Sequence, residues 1–284
     1  MLDNVNTWSR SYVDSDITLR REEVSDCSVD VKRAHFENVY VCEGVWELFF
    51  DTVDEDSLLF VSHSSSLGDM LSNLIVPVLN RYDLLERMLD SITYPVGRLL
   101  IIDNGGGFKR ELSHDYVDET TILRMPSNMG VGGSWNLGVM SMPHEPYWAF
   151  ASNDVFFRPG ALATMADTQP DDMFMSISPP YWQAFTVGEN VIRKTGLWAW
   201  GIYPAYYEDN DFERRARNHG FKPQQAINVG HDNSSTIGSD AKLQEANQTT
   251  FRMNRALFEQ RRDAEEMREG LWDLDRRRAL EWIR

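Results

Sequence analysis

A chain of 284 residues, 42% of them hydrophobic and 12% aromatic, can bury one large domain with appendages or two modest ones, and it excludes a disordered polypeptide. Its 44 acidic and 28 basic residues leave a formal charge of −16, which excludes a general nucleic-acid binder, because that needs an electropositive face to displace phosphate counterions. No stretch reaches about 18 uninterrupted apolar residues, so no membrane span is predicted.

Residues 1–70 form the first section, acidic and free of proline. The start, MLDNVNTWSRSYVDSD, lacks the basic region followed by an apolar run that marks a signal peptide. Cys27 and Cys42 show neither Cys-x-x-C nor zinc spacing, which predicts free thiols in a reducing, cytoplasmic setting. The short apolar runs VYVCEGVWELFF and SLLFVSH predict a β-rich N-terminal extension.

From residue 71 to 238 apolar runs alternate with amphipathic stretches. LIVPV (74–78) reads as a strand, and YDLLERMLDSI (82–92) puts Leu84, Leu85, Met88, Leu89 and Ile92 on one helical face. RLLIIDN (98–104) and TTILRM (120–125) are two further strands. GVGGSWNLGVMSM (130–142) reads as a glycine turn feeding a helix, and YWAFASND (147–154) as the next strand. Short apolar strands separated by helices predict an α/β fold, a mostly parallel sheet flanked by helices on both faces. Ligands of such sheets lie beyond the carboxyl ends of the strands. The runs close there in polar residues: Asn80, Asp103 with Asn104, Asn128, and Asn153 with Asp154. The tail, residues 239–284, repeats apolar residues at helical intervals (Phe251, Leu257, Phe258, Met267, Leu271, Trp272, Leu274, Leu280, Trp282, Ile283) and predicts a helical packing or homo-oligomer arm.

Four stretches carry chemistry. In IIDNGGG (101–107) Asp103 either closes an Asx-type turn or, with the glycines, admits a flat ligand. SNMGVGGSWNLG (127–138) either starts a helix or offers N–H groups to a phosphate; it has neither the Gly-Lys-Ser/Thr of a P-loop nor G-x-G-x-x-G. In ASNDVFF (151–157) an amide and a carboxylate at a strand end either satisfy a turn or hold a hard cation such as Mg2+ or Mn2+. YYEDNDFERRARNHGF (206–221) opens a helix with Glu208, Asp209 and Asp211. Acids at a helix start suit the macrodipole, but three within four positions after two tyrosines exceed that need. Trp198, Trp200 and Tyr207 flank these acids, and His231 follows an apolar run in AINVGHDNSST (226–236).

In this order the stretches resemble GT-A-fold, family-2-type glycosyltransferases, a Rossmann-like α/β class, and among them the non-processive rhamnosyl- and galactofuranosyltransferase-like members. LIVPVLNRYDLLERMLDSI resembles the opening strand and helix that bind the nucleotide, implying roles for Pro77, Asn80 and Arg81. LLIIDNGG resembles the base-binding segment, implying Asp103 and Asn104, and NMGVGGSWNLGV the nucleotide loop, implying Asn128, Gly132, Gly133 and Asn136. FASNDVFFRPGAL resembles the metal-binding turn, with Asn153 toward the sugar nucleotide and Asp154 on the metal, and VGHDNSST the segment whose His231 adds a metal ligand. YYEDNDFERRARNHGF resembles the motif of the catalytic base, which falls on Asp209.

The resemblance implies an inverting transfer of one sugar from a nucleoside-diphosphate donor, UDP-type favoured, to an acceptor hydroxyl, with Mn2+ or Mg2+ as cofactor. Glu208 and the aromatic Trp198, Trp200 and Tyr207 would bind the acceptor, which could be a glycan, a protein or a modified base. The family's Asp-x-Asp is here Asn153-Asp154-Val155, so one carboxylate is left, and His231 and the diphosphate carry more of the metal's coordination. The Gln-x-x-Arg-Trp signature of processive synthases is missing. Two other readings stand: a catalytically inactive sugar-nucleotide or glycan-binding module, and a sugar-nucleotide nucleotidyltransferase, against which VPVLNRYD offers no glycine-rich basic loop.

Overall fold

The computed structural model describes residues 70–109, 112–231, 241–262 and 274, and the backbone of five strands within the first 67 residues. The predicted tail positions Met267, Leu271, Trp272, Leu280, Trp282 and Ile283 lie outside the described residues, as do Cys27 and residues 232–236 of AINVGHDNSST. The chain divides into two compact units, Met1–Leu67 and Gly68–Arg284.

In the first unit β1 (Val5–Val13) pairs antiparallel with β2 (Asp16–Arg21) and, on its other side, with β4 (Val39–Cys42). Strands β3 (Val29–Val31) and β5 (Val61–His63) form a separate antiparallel pair.

The second unit is built on seven strands. Apolar runs give β6 (Leu71–Val78), β7 (Val96–Asp103) and β9 (Tyr147–Ala151), each predominantly buried. Next in the chain come β8 (Val117–Arg124), β11 (Met173–Ser176), β12 (Ala184–Gly188) and β13 (Gln224–Ile227). The order across the sheet is β13-β11-β12-β9-β6-β7-β8. Six strands run one way; β12 alone opposes both of its neighbours, β9 and β11. It does so because β12 returns from β11 through a short 3-10 turn at Tyr181–Gln183, too short for the crossover a parallel neighbour needs. At the opposite edge β8 starts three residues before the predicted TTILRM run: Asp118 and Glu119 are exposed within the strand, Glu119 in register with Arg98, a charged edge that discourages further strand addition.

Period-two alternation sorts the sheet's side chains onto two cores. Leu74, Val76, Leu99, Ile101 and Ala149 face Leu85 and Met88 of α1 (Tyr82–Asp90) and Leu162 and Met165 of α3 (Ala161–Ala166). Ile75, Leu100, Ile102, Trp148 and Phe150 face Trp135 and Val139 of α2 (Gly130–Ser141), Ile192 of α4 (Glu189–Thr195) and Phe212 of α5 (Glu208–Asn218). Gly138 lets α2 lie directly on β6: a Cβ there would stand 2.8 Å from the Ile75 side chain. A small antiparallel pair, β10 (Val155–Phe157) and β14 (Val229–His231), crosses the rim of the sheet. The last described helix, α6 (Ala241–Arg262), packs on the start of α5. Among the described residues no helix is long and apolar enough to cross a membrane.

Candidate active site

The carboxyl ends of β6 and β7 are level, with Val78 opposite Asp103, and β9 joins β6 through Ile75 and Phe150. Asp103 is fully buried and its carboxylate is filled by its own loop. Oδ1 accepts from the Tyr82 hydroxyl (2.8 Å) and from the N–H groups of Gly105 (3.2 Å) and Gly106 (2.9 Å), and Oδ2 accepts from the Phe108 N–H (2.9 Å). Of the two readings open for this stretch, the Asx-type turn is the one formed. Gly106, at φ 65°, takes the left-handed conformation that closes it.

Asn104 reaches the other way and clasps α2. Its Nδ2 donates to Ser134 Oγ (2.9 Å) and its Oδ1 accepts the Met129 N–H (2.8 Å). Asn128 Oδ1 takes the Gly130 N–H (2.8 Å) and the Pro204 carbonyl takes that of Val131 (2.7 Å). The glycine stretch is therefore the first turn of α2 rather than a turn ahead of it, and its leading N–H groups are bonded within the protein. Gly132 packs closely, since a Cβ on it would lie 3.3 Å from Glu208 Cβ, whereas one on Gly133 would meet the Trp200 ring at an ordinary contact distance of 3.6 Å.

The β10–β14 ladder sets Val155 opposite His231 and so brings His231 Nε2 to 3.1 Å from Asp154 Oδ1. Asp154 is buried, and the other imidazole nitrogen, Nδ1, is buried with no hydrogen-bond partner among the described residues. Neighbouring ligands of an octahedral Mg2+, each at about 2.1 Å, sit about 3 Å apart, so this oxygen–nitrogen pair fits the edge such an ion presents. Its remaining positions would fall to phosphate oxygens and water, as is usual for Mg2+. Among the described residues no cluster of three acidic, histidine or cysteine side chains completes a metal cage. Asn153, beside Asp154, donates its amide to the carbonyls of Asn80 (3.1 Å) and Arg81 (3.3 Å), which ties the end of β9 to the loop before α1.

On the facing side the chain enters α5 through two residues in the left-handed region, Tyr206 at φ 73° and Tyr207 at φ 78°. Glu208 follows, buried, with its Oε2 lacking a partner among the described residues. Burial, and after it the charge of Asp209, push its carboxyl well above the ordinary carboxylate range. Asp209 is partly exposed and accepts the Asn210 N–H at 2.8 Å. Burial also raises its carboxyl, against the opposing pull of backbone N–H bonds. Asp211, fully buried, is tied up by Arg214 (2.8 Å), Arg215 (2.9 Å) and Arg261 (3.2 Å) and holds helices together.

Asp154, His231, Glu208 and Asp209 border a single cavity of about 300 Å3, with Pro77, Asn104, Asn128 and Asn153 on its sheet side. Other expected residues stand away from it. Arg81 pairs with Asp83 at 2.7 Å, and Asn80, Asp103, Gly132, Gly133 and Asn136 do not line the cavity. Asn136 instead clasps the backbone of Trp198, donating at 2.9 Å and accepting at 2.8 Å. Trp198 itself is fully buried and stacked on Phe212 at 4.2 Å, so its face is taken. Trp200 is exposed but does not line the cavity, and Tyr207 stacks on Phe258 of α6 at 5.5 Å. The aromatic rings that do border the cavity are Trp135, Trp182 and Tyr206. Gln183, Ala246 and Asn247 complete that side, the last two from α6. Trp135 and Tyr206 fall within the quoted stretches SNMGVGGSWNLG and YYEDNDFERRARNHGF without a role assigned to them, and no motif marked Trp182, Gln183, Ala246 or Asn247.

Comparison with known proteins gives a family profile, described as "Glycosyl transferase family 2", that matches residues 73–229. Curated proteins yield no match. Among solved structures, one of GalNAc-T7 with UDP, GalNAc and Mn2+ is 10% identical over 63% of this chain and 44% of its own, with a TM-score of 0.45. One of TarS residues 1–349 from S. aureus is 11% identical over 52% of this chain and 56% of its own, with a TM-score of 0.39. The match thus spans about half the length of either structure.

Proposed function

The chain belongs to glycosyl transferase family 2, and from that premise we propose that it moves one sugar from a nucleoside-diphosphate donor, UDP-type favoured, to an acceptor hydroxyl with inversion, aided by Mn2+ or Mg2+. The observation that carries this reading is that Asp154, His231 and Asp209, distant in sequence, line one cavity beyond the carboxyl ends of a mostly parallel sheet. Asp154 Oδ1 and His231 Nε2 would hold the cation, which supplies positive charge for the departing diphosphate. Pro77, Asn104, Asn128 and Asn153 border the sheet side, where the nucleotide belongs. A carboxylate at Asp209 takes the proton from the acceptor hydroxyl as its oxygen attacks the anomeric carbon. A single displacement of this kind inverts that carbon. The motifs liken the chain to the non-processive rhamnosyl- and galactofuranosyltransferase-like members and leave the donor sugar open.

Asp209→Asn keeps the shape of the side chain and removes its basicity. Transfer is expected to fall by at least about 100-fold with donor binding retained, measured by product formation and by calorimetric titration of the donor. Activity equal to that of the unaltered chain would remove Asp209 from the role. The single carboxylate of Asn153-Asp154-Val155, where the family's motif has two, favours a second reading, a module that binds sugar nucleotides or glycans without turning over a donor. Incubation with UDP-, GDP- and dTDP-sugars, with and without Mn2+, separates the two: metal-stimulated release of nucleoside diphosphate supports the transferase, and binding without release supports the module.

A further inference from the structure

Three residues that line the cavity each carry an oxygen buried without a partner among the described residues: Gln183 Oε1, Glu208 Oε2 and Asn247 Oδ1. A buried polar atom left unpaired is destabilising, so three on residues that line one cavity mark a place where a ligand supplies the missing bonds. Gln183, only 3% exposed, is fixed in this role: its Nε2 donates to Ser176 Oγ (2.8 Å) and to the Ser178 carbonyl (3.3 Å), which leaves its oxygen as the free end. Asn247 comes from α6, beyond the 73–229 span of the family match. That helix is bolted to the site by Asn254, which donates to the Ala205 carbonyl (2.9 Å) and accepts the Tyr203 N–H (3.2 Å), and by Arg261 on Asp211 (3.2 Å).

Building on the transferase reading, we propose that Gln183, Glu208 and Asn247 form the acceptor end of the cavity and select a saccharide, an acceptor with several hydroxyl groups. Amide oxygens can only accept, so the ligand must bring donors. A carboxyl group accepts when charged and both donates and accepts when neutral. Sugar hydroxyls do both and come several to a ring, whereas a simple alcohol offers one. Trp182 and Tyr206, which also border the cavity, offer rings to the apolar face of a pyranose. Glu208 adjoins Asp209 in the chain, so an acceptor held by these oxygens lies beside the proposed base.

The test uses the full chain with UDP-, GDP- and dTDP-sugars and Mn2+, and offers as acceptors the methyl glycosides of glucose, galactose, mannose and N-acetylglucosamine, 1-octanol, and a serine-containing peptide. The expected result is transfer to at least one glycoside in preference to octanol and peptide. In Asn247→Ala the KM for that glycoside is expected to rise about tenfold while the donor KM stays within about twofold. Asn247 stands on a largely exposed helix face where alanine is the better helix former, so the variant folds, and an unchanged melting temperature documents it. Octanol or peptide serving as well as any glycoside overturns the proposal, as does an unchanged glycoside KM in the variant. Slow hydrolysis of the donor without acceptor keeps the two readings apart. Hydrolysis with no glycoside preference sinks the saccharide proposal alone, and no release from any donor sinks the transferase with it.

Discussion

Adjacent carboxyl groups in one cavity divide roles when their surroundings differ, and Glu208 and Asp209 are such a pair. Glu208 is buried and strongly raised; Asp209 is more exposed, less raised, and steadied by backbone N–H bonds. A base must be ionised to take a proton, so the acid limb of kcat/KM against pH is expected above the ordinary aspartate value of 3.8. A limb at or below that value would contradict the burial of Asp209. Stability gives a second handle. A carboxyl raised in the folded state holds more protons there than in the unfolded chain, so stability falls as pH rises from the ordinary glutamate value of 4.5 toward the folded one. Glu208→Gln removes that dependence: the variant is expected to melt higher than the parent at pH 8 and level with it at pH 4, read from thermal melts across that range. The acids themselves were legible in the sequence as a cluster too dense for a helix dipole. Which one is raised further was not legible, because that depends on burial by distant residues.

At the scale of elements the site depends on the joint between the Tyr203–Tyr207 loop and α6. Left-handed conformations at two successive tyrosines each cost about 1–3 kcal/mol and persist only where the surroundings hold them. Asn254, 3% exposed, supplies that hold through Tyr203, Ala205 and Tyr206, while Phe251 packs on both tyrosine rings. Asn254→Ala leaves these backbone groups short of partners, an expected loss of about 1–3 kcal/mol, or roughly 3–10 °C in melting temperature. Because the loop aims Asp209, kcat is expected to fall by about 100-fold, far more than the donor KM changes. A variant with lowered stability but unchanged kcat would show that the joint holds structure alone. The strands and α1 were readable because apolar runs ending in Asn or Asp carry their own periodicity and their own stop. The start of α2 was read one turn late, since a glycine that normally breaks a helix is here required at Gly130, whose φ of 74° and Pro204 carbonyl, 2.7 Å from where a Cβ would stand, leave no room for a side chain. The part played by α6 was not readable at all: its sequence announces a helix, but only tertiary contacts put Asn247 on the cavity.

At the scale of the whole molecule the chain divides into two units, Met1–Leu67 and Gly68–Arg284. Among the described residues, those bordering the cavity fall between Pro77 and Asn247, inside the unit Gly68–Arg284, and the described residues of both sheet cores belong to that same unit. A unit with its own core folds by itself in most proteins. The fragment 68–284 is therefore expected to melt in one cooperative transition and to bind the donor with a Kd within about twofold of the full chain, measured by calorimetry. Rates with a working acceptor then define what residues 1–67 contribute. Equal transfer by fragment and full chain assigns the catalytic machinery wholly to the second unit. Donor binding kept with transfer lost assigns acceptor delivery to the first unit. A fragment that folds yet fails to bind the donor would contradict the placement of the nucleotide against Pro77, Asn104, Asn128 and Asn153, and with it the reading of the sheet's carboxyl rim as the donor site.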